Sequence, residues 1–416
     1  MSMGMRLLVL TAGALVSVPR GAAAQDPRKF DPNALCTGVE MSKVDAAIAK
    51  GVEFLKSKGD YPGHGVPGDR HCRSDELVLL TLVAAGVPAS DPVVSRLLKN
   101  VLDTPIERTY NSALQAMVLD DLDRIRYQPR IWQCAQHLVD NQCRNGQWSY
   151  GDPTEAVKNI PTGTPTSTAT GGTGGVRVYA MPGEGIKPKP VRKLSVRRTR
   201  EGPDHGDNSN SQYAALGLRA AHDAGISIPG DTVALALKWW KENQKDKPDK
   251  AREAVSTGTA DLGPPRGWCY YYDEGHEDHK SFGSMTAGAV ASMVIYHYML
   301  GNDWWRDAHV RAGLSWLAHN FSVTVNPGEP CTFGKSERTQ YHYYLYALER
   351  VGMLYGTVKI GAHAWYAEGA KELLGAQKED GSWEGSQGSN SVWDTCFAIL
   401  FLKRATAPVA TGDRRR

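Results

Sequence analysis

The chain has 416 residues, 41% of them apolar, with 48 basic against 45 acidic side chains and a formal charge of +3. So even a balance excludes a partner held by a strong overall field, nucleic acid above all. Length alone permits two or three domains, yet no shift in composition divides the chain, which favours one large repeat-built domain.

The first residues read as an export signal, with Arg6, an apolar run from Leu7 to Val18, and Ala22, Ala23 and Ala24 before Gln25. Residues 1–24 are expected to be removed, leaving a periplasmic or extracellular protein. Loss of Arg6 and Arg20 lowers the charge to +1. No later stretch approaches the roughly 20 apolar residues of a membrane helix, so an integral membrane protein is not expected. Residues 25–41 form an N-terminal extension, 42–404 a single domain interrupted at 152–207, and 405–416 a disordered basic tail. The seven cysteines lack CxxC pairs, which excludes a zinc ribbon, and their odd number leaves a thiol outside any disulfide set. Cys134 and Cys143 would lie about 13 Å apart on one helix and can pair only if it ends between them.

Helical periodicity predicts six pairs of helices. The amphipathic first members lie near 42–57, 91–102, 129–143, 231–245, 303–320 and 364–377. The second members lie near 73–86, 108–121, 209–224, 284–300, 338–354 and 391–404. Several of these are apolar around most of their circumference, as in Leu77-Val-Leu-Leu-Thr-Leu-Val and Phe397-Ala-Ile-Leu-Phe-Leu, the mark of a buried helix. Residues 152–207 break the alternation. They carry a basic strip (Lys187, Lys189, Arg192, Lys193, Arg197, Arg198 and Arg200), read as a solvated arm or a site for an anionic partner, and Val176–Ala180 with Leu194–Thr199 suggests a small hairpin.

A turn repeats with the helices. Gln142-Cys-Arg-Asn-Gly146-Gln-Trp148 and Gln377-Lys-Glu-Asp-Gly381-Ser-Trp383 share the pattern Q-x3-G-x-W, and Gln244 followed by Gly267-Trp268 is a stretched copy. Glycine suits the turn after a helix, while Gln and Trp can pin it to the next hairpin. These turns, each leading into a helix rich in small residues, resemble the repeats of the prenyltransferase/squalene-cyclase family of terpenoid cyclases and protein prenyltransferases. The resemblance covers about residues 42–404 and implies an all-α, α6–α6 toroid, a double ring of six helical hairpins. It does not name an activity, because such toroids serve several chemistries.

In a toroid the inner-helix N-termini gather at one end, where their free N–H groups and dipoles favour anionic groups. Asp75, Asn111, Asn210 with Gln212, Thr286, Gln340 with His342, and Asp394 with the neighbouring Trp393 stand at those starts as candidate ligand-binding residues, and helix capping is the competing role. The cyclases' D-x-D-D acid is missing. Asp120-Asp121-Leu122-Asp123 has the wrong order and lies where a helix ends, so it reads as a solvated loop pairing with Arg124 and Arg126. The resemblance to prenyltransferases offers Asp394, Cys396 and His342 as zinc ligands, although residues two apart on a helix diverge by about 200°. No cofactor is otherwise expected. His276 and His279 in the acidic loop 273–279 could bind metal or transfer protons. Tyr341, His342 and Asn210 offer the Tyr/His/Asn set of a polysaccharide lyase. The expectation is therefore an exported protein binding an apolar, isoprenoid-like or glycan ligand in a central cavity, the alternative being a divergent enzyme on the same fold with His342, Asp394 or Tyr341 catalytic.

Overall fold

The computed structural model describes residues 27–61, 73–158, 192–245, 262–270, 280–328, 339–384 and 389–409. The export signal, His276, His279, Lys187, Lys189 and the Val176–Ala180 half of the expected hairpin lie outside them.

The described residues are mostly helical, and all twelve expected helices are present. The six first members are α1 (Met41–Ser57), α3 (Pro92–Asp103), α5 (Gln128–Asp140), α8 (Gly230–Glu242), α10 (Ala308–His319) and α12 (Trp365–Ala376). The six second members are α2 (Asp75–Ala85), α4 (Thr109–Asp123), α7 (Asn208–Asp223), α9 (Gly283–Met299), α11 (Tyr341–Tyr355) and α13 (Ser391–Lys403). A four-residue helix, α6 (Glu155–Lys158), follows the third first member. Local chemistry sets many boundaries. Asp91, Asp207, Asp307 and Asn390 cap α3, α7, α10 and α13 through their side chains, and Gly86 and Gly356 end α2 and α11 in the left-handed conformation.

The second members are buried almost throughout and form the core. In chain order each packs on the next, α2 on α4, α4 on α7, α7 on α9, α9 on α11 and α11 on α13, and α13 packs in turn on α2. First members lie against them, with α5 on both α4 and α7, and α1 on both α2 and α13.

The three Gln–Trp turns are stitched identically. The Trp148, Trp268 and Trp383 indoles donate to the carbonyls of Leu138, Trp240 and Leu373 on the preceding helix. Their backbone N–H groups donate to the hydroxyls of Ser211, Thr286 and Thr395 in the following buried helix. The amides of Gln142, Gln244 and Gln377 each bond the carbonyl before their turn's Trp motif, at Gly146, Arg266 and Gly381, and reach a carbonyl on the next first member, at Thr232 of α8, His309 of α10 and Ala47 of α1. The last turn of the chain therefore bonds the first helix. Gly381, at φ +87°, lies so close to the Lys50 carbonyl that a Cβ there would approach it to 2.4 Å, which is why this turn requires glycine.

From Arg192 onward, the described part of the basic strip is an arm laid along α5. Gln128, Trp132, Gln136 and Asp140, four residues apart and hence on one helix face, hydrogen-bond the backbone at Arg192, Ser195, Arg197 and Thr199. Arg198 binds Gln142 and Thr232, and Arg200 binds Asn141 at 2.6 Å. Those two guanidinium groups thus hold the arm to α5 and α8, which corrects their reading as a site for an anionic partner. β1 (Leu194–Ser195) pairs in parallel with β2 (Ile226–Ser227), the segment after α7. The arm also explains why α5, expected to be amphipathic, is buried along nearly its whole length.

Both ends of the described chain dock on the helices. Arg404 donates to Pro32 O, and Thr406 bonds the buried Glu349 through its N–H and hydroxyl. Residues 405 and 406, expected in a disordered tail, are therefore fixed against α11. α5 does end between Cys134 and Cys143, yet both are free thiols, as are Cys36 and Cys396. No helix among the described residues is long and apolar enough to cross a membrane.

Candidate functional site

The first turns of five buried helices meet through side chains. His342 Nδ1, on the second residue of α11, lies 3.2 Å from Asp394 Oδ1 in the first turn of α13, off the line of a well-formed hydrogen bond. Both side chains are about 1% exposed. Ser389 donates to the same Asp394 oxygen at 2.8 Å, and the buried Nε2 of His342 has no hydrogen-bond partner among the described residues. Trp393 donates its indole N–H to Ser74, just before α2. On α2, Glu76 accepts from Gln115 at 3.2 Å and from Asn111, both on α4. Burial raises the Glu76 carboxyl above its ordinary value, against those hydrogen bonds.

A polar chain extends from this end into the interior. The Tyr110 hydroxyl of α4 meets Ser209 of α7 at 2.5 Å, Ser209 meets the Tyr343 hydroxyl of α11 at 2.7 Å, and Gln212 donates to Tyr343 at 2.6 Å and accepts from Arg350 at 2.7 Å. Tyr213 stacks on Tyr343, and Phe397 of α13 packs edge-on against it. Side chains of α4, α7, α11 and α13 thus meet in one buried cluster. Near the same end, Asp207 caps α7 and holds Asn210 through both its N–H and its side-chain amide, leaving the buried Asn210 Oδ1 without a partner among the described residues. Burial raises the Asp207 carboxyl, opposed by bonds from Asn210 and Tyr270. Tyr150, which bonds Tyr270, is 60% exposed beside them.

Several candidate residues have other duties. Asp75 binds Arg73 and Asn100, clasping α2 to α3. Thr286 accepts the Trp268 backbone N–H, as described above, and Gln212 is taken up by Tyr343 and Arg350. The Tyr341 hydroxyl donates to Val323 O at 2.5 Å, so its proton is engaged by a loop carbonyl. Gln340 adopts φ 55° ahead of α11, a left-handed conformation that costs a non-glycine residue on the order of 1–2 kcal/mol.

The zinc reading needs correction. His342 and Asp394 converge, but Cys396 faces α2, where Thr81 hydrogen-bonds it, and burial pushes its thiol up to about 12. The helix points residues 394 and 396 toward different neighbours, so a metal at the His342–Asp394 pair would lack the thiolate. Among the described residues no three His, Cys, Asp or Glu side chains are placed to hold a metal ion. The acidic cluster behaves as a loop anchor, with Asp120 paired to Arg124 at 2.9 Å and Asp123 accepting two backbone N–H groups.

Sequence reading missed Glu76, Tyr110, Ser209, Ser389 and Arg350 as parts of this region. A usable signal existed for two of them, because Glu76 and Arg350 are charged residues directly beside apolar runs, Leu77–Leu80 and Val351–Leu354. Ser389 and Ser209 had none. No family model matches the chain, and the search of curated proteins found no match.

Proposed function

We propose that the chain is an exported α6–α6 toroid of the prenyltransferase/squalene-cyclase repeat type that binds a hydroxyl-rich ligand, a glycan, at the end where its inner helices begin. Closure of the ring is supported by the packing of α13 on α2 and by the bond from Gln377 in the last turn to Ala47 in the first helix. The family reading rests on the three Gln–Trp turns and their common hydrogen bonds.

The observation that carries the ligand class is the polarity of that end. Asn210 Oδ1 and His342 Nε2 are buried there without partners among the described residues, and buried polar atoms left unpaired cost about 1–3 kcal/mol each. Sugar hydroxyls supply the missing partners, and the exposed ring of Tyr150 offers a stacking face. An isoprenoid satisfies neither atom, and the polar chain from Tyr110 to Arg350 takes up the apolar channel it needs.

Intrinsic fluorescence titration with neutral and acidic oligosaccharides and with a polyprenol tests the proposal. Saccharide binding weakened about tenfold or more by Asn210→Ala or Tyr150→Ala is expected, the loss of one buried hydrogen bond or one stacked ring. Polyprenol binding without saccharide binding overturns it.

An enzymatic reading is favoured by one observation, the His342–Asp394 pair. A carboxylate at Nδ1 orients an imidazole so that Nε2 is available to take or give a proton. In that reading His342→Gln abolishes turnover of a bound glycan while leaving its affinity within a few fold. No zinc-dependent step is proposed, given where Cys396 points.

A further inference from the structure

Arg350, the tenth residue of α11, is about 1% exposed. Its Nη2 donates to Gln212, while Nη1 is buried and has no hydrogen-bond partner among the described residues. The guanidinium lies over the Tyr346 ring at 4.4 Å and the Tyr213 ring at 5.5 Å. No carboxylate among the described residues forms an ion pair with it. The adjacent Glu349 is engaged by Thr406.

This is a full positive charge in the interior with no counter-charge from the described residues. Arginine does not escape the cost by losing its proton. The nearby tyrosines do not offset it as phenolates, since burial raises Tyr213, Tyr343 and Tyr346 above the ordinary phenol value and keeps them neutral. The Tyr213 and Tyr346 side chains hydrogen-bond the guanidinium and their faces attract it, but they carry no net charge, and buried charges are ordinarily paired.

We propose that Arg350 is neutralised by a small monatomic anion, chloride in ordinary solution, enclosed between α7 and α11 and held by Nη1. A monatomic ion suits the site better than a carboxylate or phosphate. One nitrogen, Nη1, is open, and an oxyanion would bury further lone pairs with nothing to satisfy them. The site is deeper than the proposed glycan end by about 10 Å, the rise of seven helical residues from Tyr343 to Arg350, and does not depend on that reading.

The test uses the intact chain with bromide as the probe. Crystals grown in sodium bromide are expected to show an anomalous peak at hydrogen-bonding distance from Arg350 Nη1. Thermal melting in sodium chloride or bromide is expected to lie several degrees above melting in sodium gluconate at equal ionic strength. Gln212→Glu places a carboxylate on Nη2 and reverses the bond to Tyr343, whose hydroxyl then donates to it, so this variant should lose both the peak and the halide dependence. Arg350→Met should do the same if it folds, and the Gln212 variant keeps the test decisive if it does not. No bromide at Nη1 together with equal melting in the three salts overturns the proposal. So does a halide effect of undiminished size in Gln212→Glu.

Discussion

Replacing Gln377 with alanine removes the side chain that ties the last turn of the chain to its first helix. The amide donates to Ala47 O at 2.8 Å and to Gly381 O at 3.0 Å. Each bond contributes about 0.5–1.5 kcal/mol net. Ala47 lies inside α1, so its carbonyl keeps a helical partner, and the loss is close to that of two bonds, about 2 kcal/mol. Urea unfolding followed by tryptophan fluorescence and far-UV circular dichroism should show that drop as a lower midpoint. Gln142→Ala and Gln244→Ala, which remove the equivalent bonds at internal turns, are the comparison. If Gln377→Ala changes stability by less than about 0.5 kcal/mol, the range of an inconsequential surface change, while the internal variants cost about 2, the closing turn carries no energy and closure of the ring loses its main support.

Two further outcomes concern titration. Glu76 holds its proton more tightly in the folded chain than in the unfolded one because it is buried. Its contribution is therefore present in full below the unfolded value of 4.5 and is lost as pH rises through the raised folded value. Glu76→Gln removes that loss, so the variant should gain on the wild type between pH 4 and pH 7 in denaturant unfolding, and a constant difference refutes the assignment. His137 has the opposite dependence. Burial lowers its imidazole from 6.5 to about 4, and Ser112 and the Asp152 carbonyl flank its two nitrogens. The folded state is favoured in full above 6.5 and loses on the order of 3 kcal/mol as pH falls to about 4, at about 1.4 kcal/mol per unit. Proton NMR should show this ring neutral at pH 5, and a midpoint near 6.5 refutes its burial in the neutral form.

The candidate site was legible to different depths. Asn210, His342 and Asp394 were readable because polar residues at the start of an apolar helix stand out against it. Which of them face one another was not. Asp394 and Cys396 are two residues apart, and only the rotation of α13 between α11 and α2 gives one to His342 and the other to Thr81. Tyr341 and His342 are adjacent, yet the first is spent on a loop carbonyl while the second reaches α13. The arm along α5 was hidden for a related reason. Gln128, Trp132, Gln136 and Asp140 have a regular spacing, but their partners are backbone groups about 60 residues away, which side-chain identity does not encode.

Local and periodic features were determined by sequence alone. The alternation of amphipathic and all-round apolar helices follows from the 3.6-residue period. The Gln–Trp turns are short enough that glycine, glutamine and tryptophan specify them in place. Tertiary structure decided what depends on the angle of each helix about its axis and on neighbours distant in the chain. It joined tyrosine, serine, glutamine and arginine of α4, α7 and α11 in one buried polar chain, divided the supposed zinc ligands, and turned two arginines of a basic strip into fastenings. Burial decided the charge states as well, because a carboxyl, an imidazole and a guanidinium each respond to the water they lose, and a sequence does not record that loss.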